Sequence, residues 1–274
     1  MDSSRVKWGL AACVTFAAIT ASYFGARDVF LTITGAQAPA RPVLLLVGDS
    51  LTEAGADPDK AGWVALLQNR YQRSADVLPR GLGGYNTKYV CTLWFVEYAL
   101  PAIDRELVSG RIAPTLITLW IGANDAALLD GASARQHVPL GTYSKNLASI
   151  IRVFRTSAPD AQILLITPPP VDEAARLRRS KTGRLDRSNA VTGEYARACV
   201  DTARELDIPV LDLHTFFNTL PPRERASCLE DGLHFTARGN RLVEQQVRAK
   251  IAASFPELAA RLQAWQFPNW SKLT

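Results

Sequence analysis

The chain has 274 residues, of which 47% are apolar and 21% charged, and its formal net charge is +5. This length and composition allow one medium domain with a sizeable core plus an extra segment, and they exclude repeat, low-complexity and disulfide-scaffold proteins. The charge excess is local: RLRRSKTGRLDR, residues 176–187, holds six basic residues against one acid, so the remainder is near neutral and no general nucleic-acid-binding surface is expected.

In chain order, the first feature is the uncharged stretch from Trp8 to Ala26, preceded by Arg5 and Lys7. At about 1.5 Å per residue it just spans a bilayer core. Residues 1–41 therefore read as an N-terminal apolar anchor or signal segment plus a linker, AQAPARP. A signal anchor, a cleaved signal peptide ending near Ala36-Gln37-Ala38, an organelle-targeting peptide and a merely hydrophobic N-terminus all fit. These readings predict a transmembrane helix or membrane association through residues 8–26, and a membrane-anchored or secretory-pathway protein. Residues 42–256 form the expected globular domain and 257–274 a C-terminal tail.

Within that domain strand and helix patterns alternate. VLLLV (Val43–Val47) is a continuous apolar run, as in a strand buried on both faces. Helical spacing follows over 62–73. LITLWI (116–121) is a second buried strand, 143–155 a helix, ILLIT (163–167) a third strand stopped by three prolines. A helix over 187–206, a strand PVLDL (209–213) and a helix over 236–253 complete the series. The alternation predicts an α/β fold with a mostly parallel central sheet covered by helices on both faces. Ligands in such sheets bind beyond the carboxyl ends of the strands. GDS after the first strand, GAND after the second and TPPPVDE after the third lie at such ends.

Ser50, in GDSLTEAG, has two readings. With Glu53 it fits a capping box, its hydroxyl taking an orphan backbone N–H. Alternatively it is a nucleophile, which requires a general base. Of the histidines, His137 (in RQHVPLG) and His214 (after LDL) read as structural. His234 lies in DGLHFTARGN, three residues after Asp231, close enough for one carboxylate to orient the imidazole; the alternative is a helix-capping turn. An oxyanion would need donors. The Ser50 backbone N–H, the backbone at Gly84 in RGLGGYNT and the Asn124 side-chain amide in GAND are candidates, although Gly84 also suits a plain turn and Asn124 an Asx cap. Trp94, Phe95, Trp120, Leu128 and Val171 could line an acyl pocket, and core packing explains each equally well. The cysteines, Cys13, Cys91, Cys199 and Cys228, show no metal-ligand spacing.

GDSLTEAG, Gly84, GAND and D-x-x-H, in this order, resemble the four blocks of the GDSL, or SGNH, hydrolases. RGLGGYNTKY, GANDAALLDGASARQHVPL, ITPPPVDEAAR, SNAVTGEYARACV and DGLHFTARGN resemble the isoamyl-acetate-hydrolysing esterase branch, and the likeness runs from about Val43 to about Ala253. The resemblance implies a three-layer α/β/α sandwich of flavodoxin-like type. It implies Ser50 as nucleophile, His234 as base and then acid, Asp231 as orienting acid, and Ser50, Gly84 and Asn124 as oxyanion donors, with no metal or organic cofactor. The expected activity is hydrolysis of small, short-chain acyl esters through an acyl-Ser50 intermediate. A lysophospholipase, thioesterase, carbohydrate deacetylase or transferase on the same fold is the alternative, and an inactive binding protein a further one. The basic stretch 176–187 reads either as a solvated insert or as a contact for anionic groups near the site.

Overall fold

A buried strand must pair its backbone polar groups, and the apolar runs found above do so in a single sheet. The computed structural model describes residues 40–88, 95–267 and 269–272. The chain divides into two units, Met1–Arg41 and Pro42–Thr274, and all elements named below lie in the second. They are β1 (Val43–Gly48), the single turn α1 (Ser50–Glu53), α2 (Trp63–Tyr71), β2 (Asp76–Gly81), α3 (Leu100–Val108), β3 (Leu116–Trp120), α4 (Leu140–Ser157) and β4 (Gln162–Ile166). There follow α5 (Glu173–Arg179), α6 (Asn189–Glu205), β5 (Val210–Leu211), α7 (Leu213–Thr219), α8 (Pro222–Ser227), α9 (Ala237–Ser254) and α10 (Pro256–Gln263).

The strands pair in the order β2-β1-β3-β4-β5, and every pairing is parallel. Successive strand side chains point to opposite faces, and the two cores follow that alternation. Leu44, Leu46, Leu116, Leu164 and Ile166 pack with Trp63 and Leu67 of α2 and Val243, Val247 and Ile251 of α9. Leu45, Val47, Ile117, Leu119, Ile163 and Leu165 pack with Ile103 of α3, Leu147, Ile150 and Phe154 of α4, and Cys199 of α6. Each such side chain contributes roughly 1.5–3 kcal/mol when fully buried. A one-residue slip would exchange the two faces, so the register is strongly specified. The result is a three-layer α/β/α fold with flavodoxin-like strand order. β1 has β2 on one side and β3 on the other, so the connections diverge there. The crevice at the carboxyl ends of β1 and β3 is the switch point.

Three expectations change. The strand PVLDL is shorter: β5 covers only Val210–Leu211, and Leu213 already opens α7, capped by Asp212. The stretch 257–274 is not simply a tail, because α10 buries Leu258 and Leu262 in the core. The transmembrane helix and the membrane or secretory placement are corrected as well. Among the described residues no helix is long and apolar enough to cross a membrane, and residues 8–26, on which that expectation rested, lie outside the described residues.

Candidate active site

Ser50 follows β1 with only Asp49 between them. It does not cap the turn it opens. Asp49 is the N-cap, its Oδ1 accepting the Leu51 N–H at 2.9 Å, so the Ser50–Glu53 capping box is replaced and the hydroxyl is free for other use. The Asp49 N–H donates to Trp120 O at the end of β3 (3.3 Å). Trp63 Nε1 donates to Leu51 O at 2.9 Å. These bonds tie the turn to β3 on one side and to α2 on the other. α1 has only four residues, so it offers backbone N–H groups rather than a macrodipole.

His234 reaches Ser50 from the far end of the sequence. Leu233 and Phe235 are buried in the core on either side of it, and Phe235 packs against Trp120 and Phe217 with ring centroids 5.9 and 5.1 Å away. The apolar–polar–apolar pattern of LHF thus pins the backbone and leaves the imidazole one-third exposed (32%). Its Nε2 lies 2.9 Å from Ser50 Oγ, and its Nδ1 lies 2.9 Å from Asp231 Oδ2. The carboxylate fixes the proton on Nδ1 and leaves Nε2 to accept from the serine hydroxyl. Asp231 Oδ1 accepts the N–H groups of Leu233 (2.9 Å) and His234 (2.8 Å). Burial opposes ionisation of Asp231, but the His234 and backbone hydrogen bonds outweigh it and hold this carboxyl well below the usual carboxylate range.

The oxyanion candidates come from two loops. Leu82 N donates to Gly48 O and Tyr85 N to Leu82 O, which makes 82–85 a tight turn after β2. Gly84 is its third residue, with φ +79°, a conformation that favours glycine. A Cβ added to neighbouring Gly83 would lie 3.8 Å from Ser50 Cβ, so this turn adjoins the serine. Asn124, after β3, is buried. Its Nδ2 donates to Tyr85 O at 2.8 Å, which joins the two loops.

Three residues that the sequence reading did not assign complete the array. Arg176 Nη1 donates to Asp231 Oδ2 at 3.0 Å, and its Nε donates to Asp186 Oδ1 at 3.1 Å. Asp186 also pairs with Arg187, and Arg187 Nη2 donates to Asn124 Oδ1 at 2.7 Å. The basic stretch is therefore no simple solvated insert: its two ends turn inward. A signal was present, since a lone acid among six cations marks an internal ion pair, but local charge alone does not say which cations it selects. The structural readings of the other histidines agree with their contacts. His137 Nδ1 meets Ala127 O at 2.7 Å, and His214 packs beside Gly193 and Asn218. Of the acyl-pocket candidates, Phe95, Trp120 and Val171 are core residues, Leu128 is half-buried, and Trp94 lies outside the described residues. A groove of about 890 Å³ between β2 and α3 includes Leu82 and Tyr85 but none of Ser50, Asp231 or His234.

A three-layer parallel α/β/α fold, with a Ser–His–Asp array at its switch point and a glycine and an asparagine beside it, is that of the SGNH hydrolases. The chain belongs to the GDSL-like lipase/acylhydrolase family, whose match covers residues 46–242, and it is a carboxylic ester hydrolase. A GDSL esterase/lipase of Arabidopsis thaliana is 40% identical over 77% of this chain and 86% of its own length. The isoamyl acetate-hydrolyzing esterase 1 homolog of Mus musculus is 39% identical over 84% of this chain and 87% of its own. Among solved structures, the lipase/acylhydrolase from Enterococcus faecalis superposes with a TM-score of 0.57 at 22% identity, over 77% of this chain and 96% of that one. The acetyl xylan esterase AlAXEase gives 0.59 at 18% identity, over 76% and 99%. At those identities the structural matches speak for the fold.

Proposed function

We propose that the chain hydrolyses short-chain acyl esters through an acyl-Ser50 intermediate. The observation that carries this reading is the pair of 2.9 Å contacts that line up Ser50 Oγ, His234 and Asp231. Ser50 Oγ attacks the ester carbonyl carbon as His234 Nε2 takes its proton. The carbonyl oxygen becomes the oxyanion, held by the N–H groups of Ser50 and Gly84 and by the Asn124 amide. The C–O bond breaks as His234 returns the proton to the leaving alcohol, which leaves the acyl group on Ser50. Water then attacks the acyl carbon with His234 again as base; the bond to Ser50 Oγ breaks as His234 returns the proton to that oxygen, and the carboxylic acid departs. Asp231 stabilises the imidazolium formed in each half. A short acyl chain is favoured by the likeness to isoamyl acetate-hydrolyzing relatives.

Hydrolysis of p-nitrophenyl esters from acetate to palmitate tests both parts, with Ser50→Ala as blank. Turnover greatest on acetate or butyrate and abolished in Ser50→Ala is the expected result. A preference for palmitate would overturn the acyl length, and equal turnover in Ser50→Ala would overturn the nucleophile.

A further inference from the structure

Arg187 stands just before α6 and is almost fully enclosed, at 3% exposure. Taking a guanidinium out of water is costly, and Asp186 beside it offsets the charge. The other donors of Arg187 go to neutral oxygens gathered around the oxyanion loops. Nε donates to Ala123 O at 2.7 Å, and Nη2 donates to Asn124 Oδ1 at 2.7 Å and Gln136 Oε1 at 2.6 Å. Gln136 Nε2 in turn donates to Gly84 O at 3.2 Å. One planar group therefore touches Asn124 directly and Gly84 through a single intermediary.

A carboxamide has nearly the same shape in its two flipped orientations, so packing alone does not select between them. What differs is which end donates. With Asn124 as it stands, Oδ1 accepts from Arg187 and Nδ2 donates to Tyr85 O. Flipped, an N–H would face the guanidinium N–H and an oxygen would face the Tyr85 carbonyl, two repulsive contacts in a site of low dielectric. Tyr85 takes one N–H of Nδ2, and the selected orientation keeps the second available.

We propose that Arg187 is a positioning residue that holds the Asn124 amide with its N–H toward the oxyanion and steadies the Gly84 turn through Gln136. This rests on the oxyanion role given to Asn124 and Gly84 under Proposed function. The consequence is a loss in kcat without a matching change in KM, because an oxyanion donor acts on the transition state and little on the bound ester.

The test is a double-mutant cycle on p-nitrophenyl acetate hydrolysis, with Arg187→Lys and Asn124→Ala made singly and together. Lysine keeps a cation beside Asp186 but cannot form the guanidinium's several bonds. Asn124→Ala should lower kcat by about 10²–10³, the usual effect of losing one such donor. Arg187→Lys should lower it by about 10–100-fold with KM nearly constant, and should cost only a few-fold more when Asn124 is already alanine. A full, multiplying loss in that background, or wild-type kcat in Arg187→Lys, overturns the proposal while the oxyanion reading stands. Wild-type kcat in Asn124→Ala overturns the oxyanion reading and the proposal with it. Should Arg187→Lys lose its cooperative thermal transition, Gln136→Leu leaves the Arg187–Asp186 pair in place. A fall in its kcat at unchanged KM supports the proposal, and wild-type kcat overturns it.

Discussion

Four donors converge on the carboxylate of Asp231: two backbone N–H groups on Oδ1, and His234 Nδ1 with Arg176 Nη1 on Oδ2. Asparagine at this position would set an N–H against another donor on one side. Asp231→Asn should therefore lower kcat by about 10³–10⁴ with KM little changed, which steady-state kinetics on p-nitrophenyl acetate will read. Wild-type kcat in that variant would remove Asp231 from the mechanism. Two other carboxyls have the opposite electrostatic character. Asp49 is pushed up to about 7 and Asp125 to about 6, both chiefly by burial, and the Oδ2 of each is buried with no hydrogen-bond partner among the described residues. A carboxyl raised in this way stabilises the fold at low pH, and that stability is lost as pH rises through its folded-state pKa; a depressed one such as Asp231 stabilises above the ordinary range and loses that effect in acid. Asp49→Asn keeps an oxygen for the Leu51 N–H and removes the charge. Its thermal midpoint relative to wild type should rise between about pH 4 and pH 7; parallel curves would dismiss the burial argument. At this scale the sequence was most legible for Ser50, Asp231 and His234, whose order and spacing mark them out and which the fold brings into contact. It was least legible for Arg176 and Arg187, because an arginine at a surface and one enclosed against an amide look alike until the partner, more than fifty residues away in sequence, is known.

The turn bearing Asp231 and His234 is held against α5 at Gly232. Its φ is +88°, and a Cβ there would meet Asp172 O at 2.5 Å and Arg176 Cδ at 3.1 Å. Gly232→Ala should therefore cost about 1–3 kcal/mol, measured by the urea midpoint. It should also lower kcat, because relief of the clash moves Asp231 away from Arg176. Unchanged stability and turnover would show that the turn tolerates displacement. Elements were legible where burial leaves a simple pattern. β1, β3 and β4 are mostly apolar and were found, as were α4, α6 and α9, whose apolar residues recur at helical spacing. β2 was missed because it is an edge strand paired only to β1. Its sequence DVLPRG carries a proline where the unpaired side needs no N–H, and most of it is half-buried. The helix α1 was anticipated, but its cap was placed one residue late: Asp49 and Ser50 are equally good caps by type. Only the 2.9 Å bond from Leu51 N–H to Asp49 decides between them.

At the scale of the molecule, the strand order puts β1 and β3 side by side with their carboxyl ends at the crevice, and the residues at those ends could be placed there from alternation alone. What alternation does not give is the loop geometry that brings in Arg187 and Gln136. Nor does it show that α10 closes one core. The bond between Ser50 and His234 joins residues 184 positions apart. Contacts of that separation are late and slow to form, since the intervening chain must first be ordered. Ser50 can therefore sit in a formed β1–α1 corner before His234, which arrives with the turn before α9, has docked against it. In a refolding time course, capture of a fluorophosphonate at Ser50 should trail the recovery of helical circular dichroism. Reactivity would then be a clock for the last docking step, and a chain caught part-way would carry a serine without a warhead. Simultaneous recovery of both signals would mean that the corner and its distant partner assemble in one step.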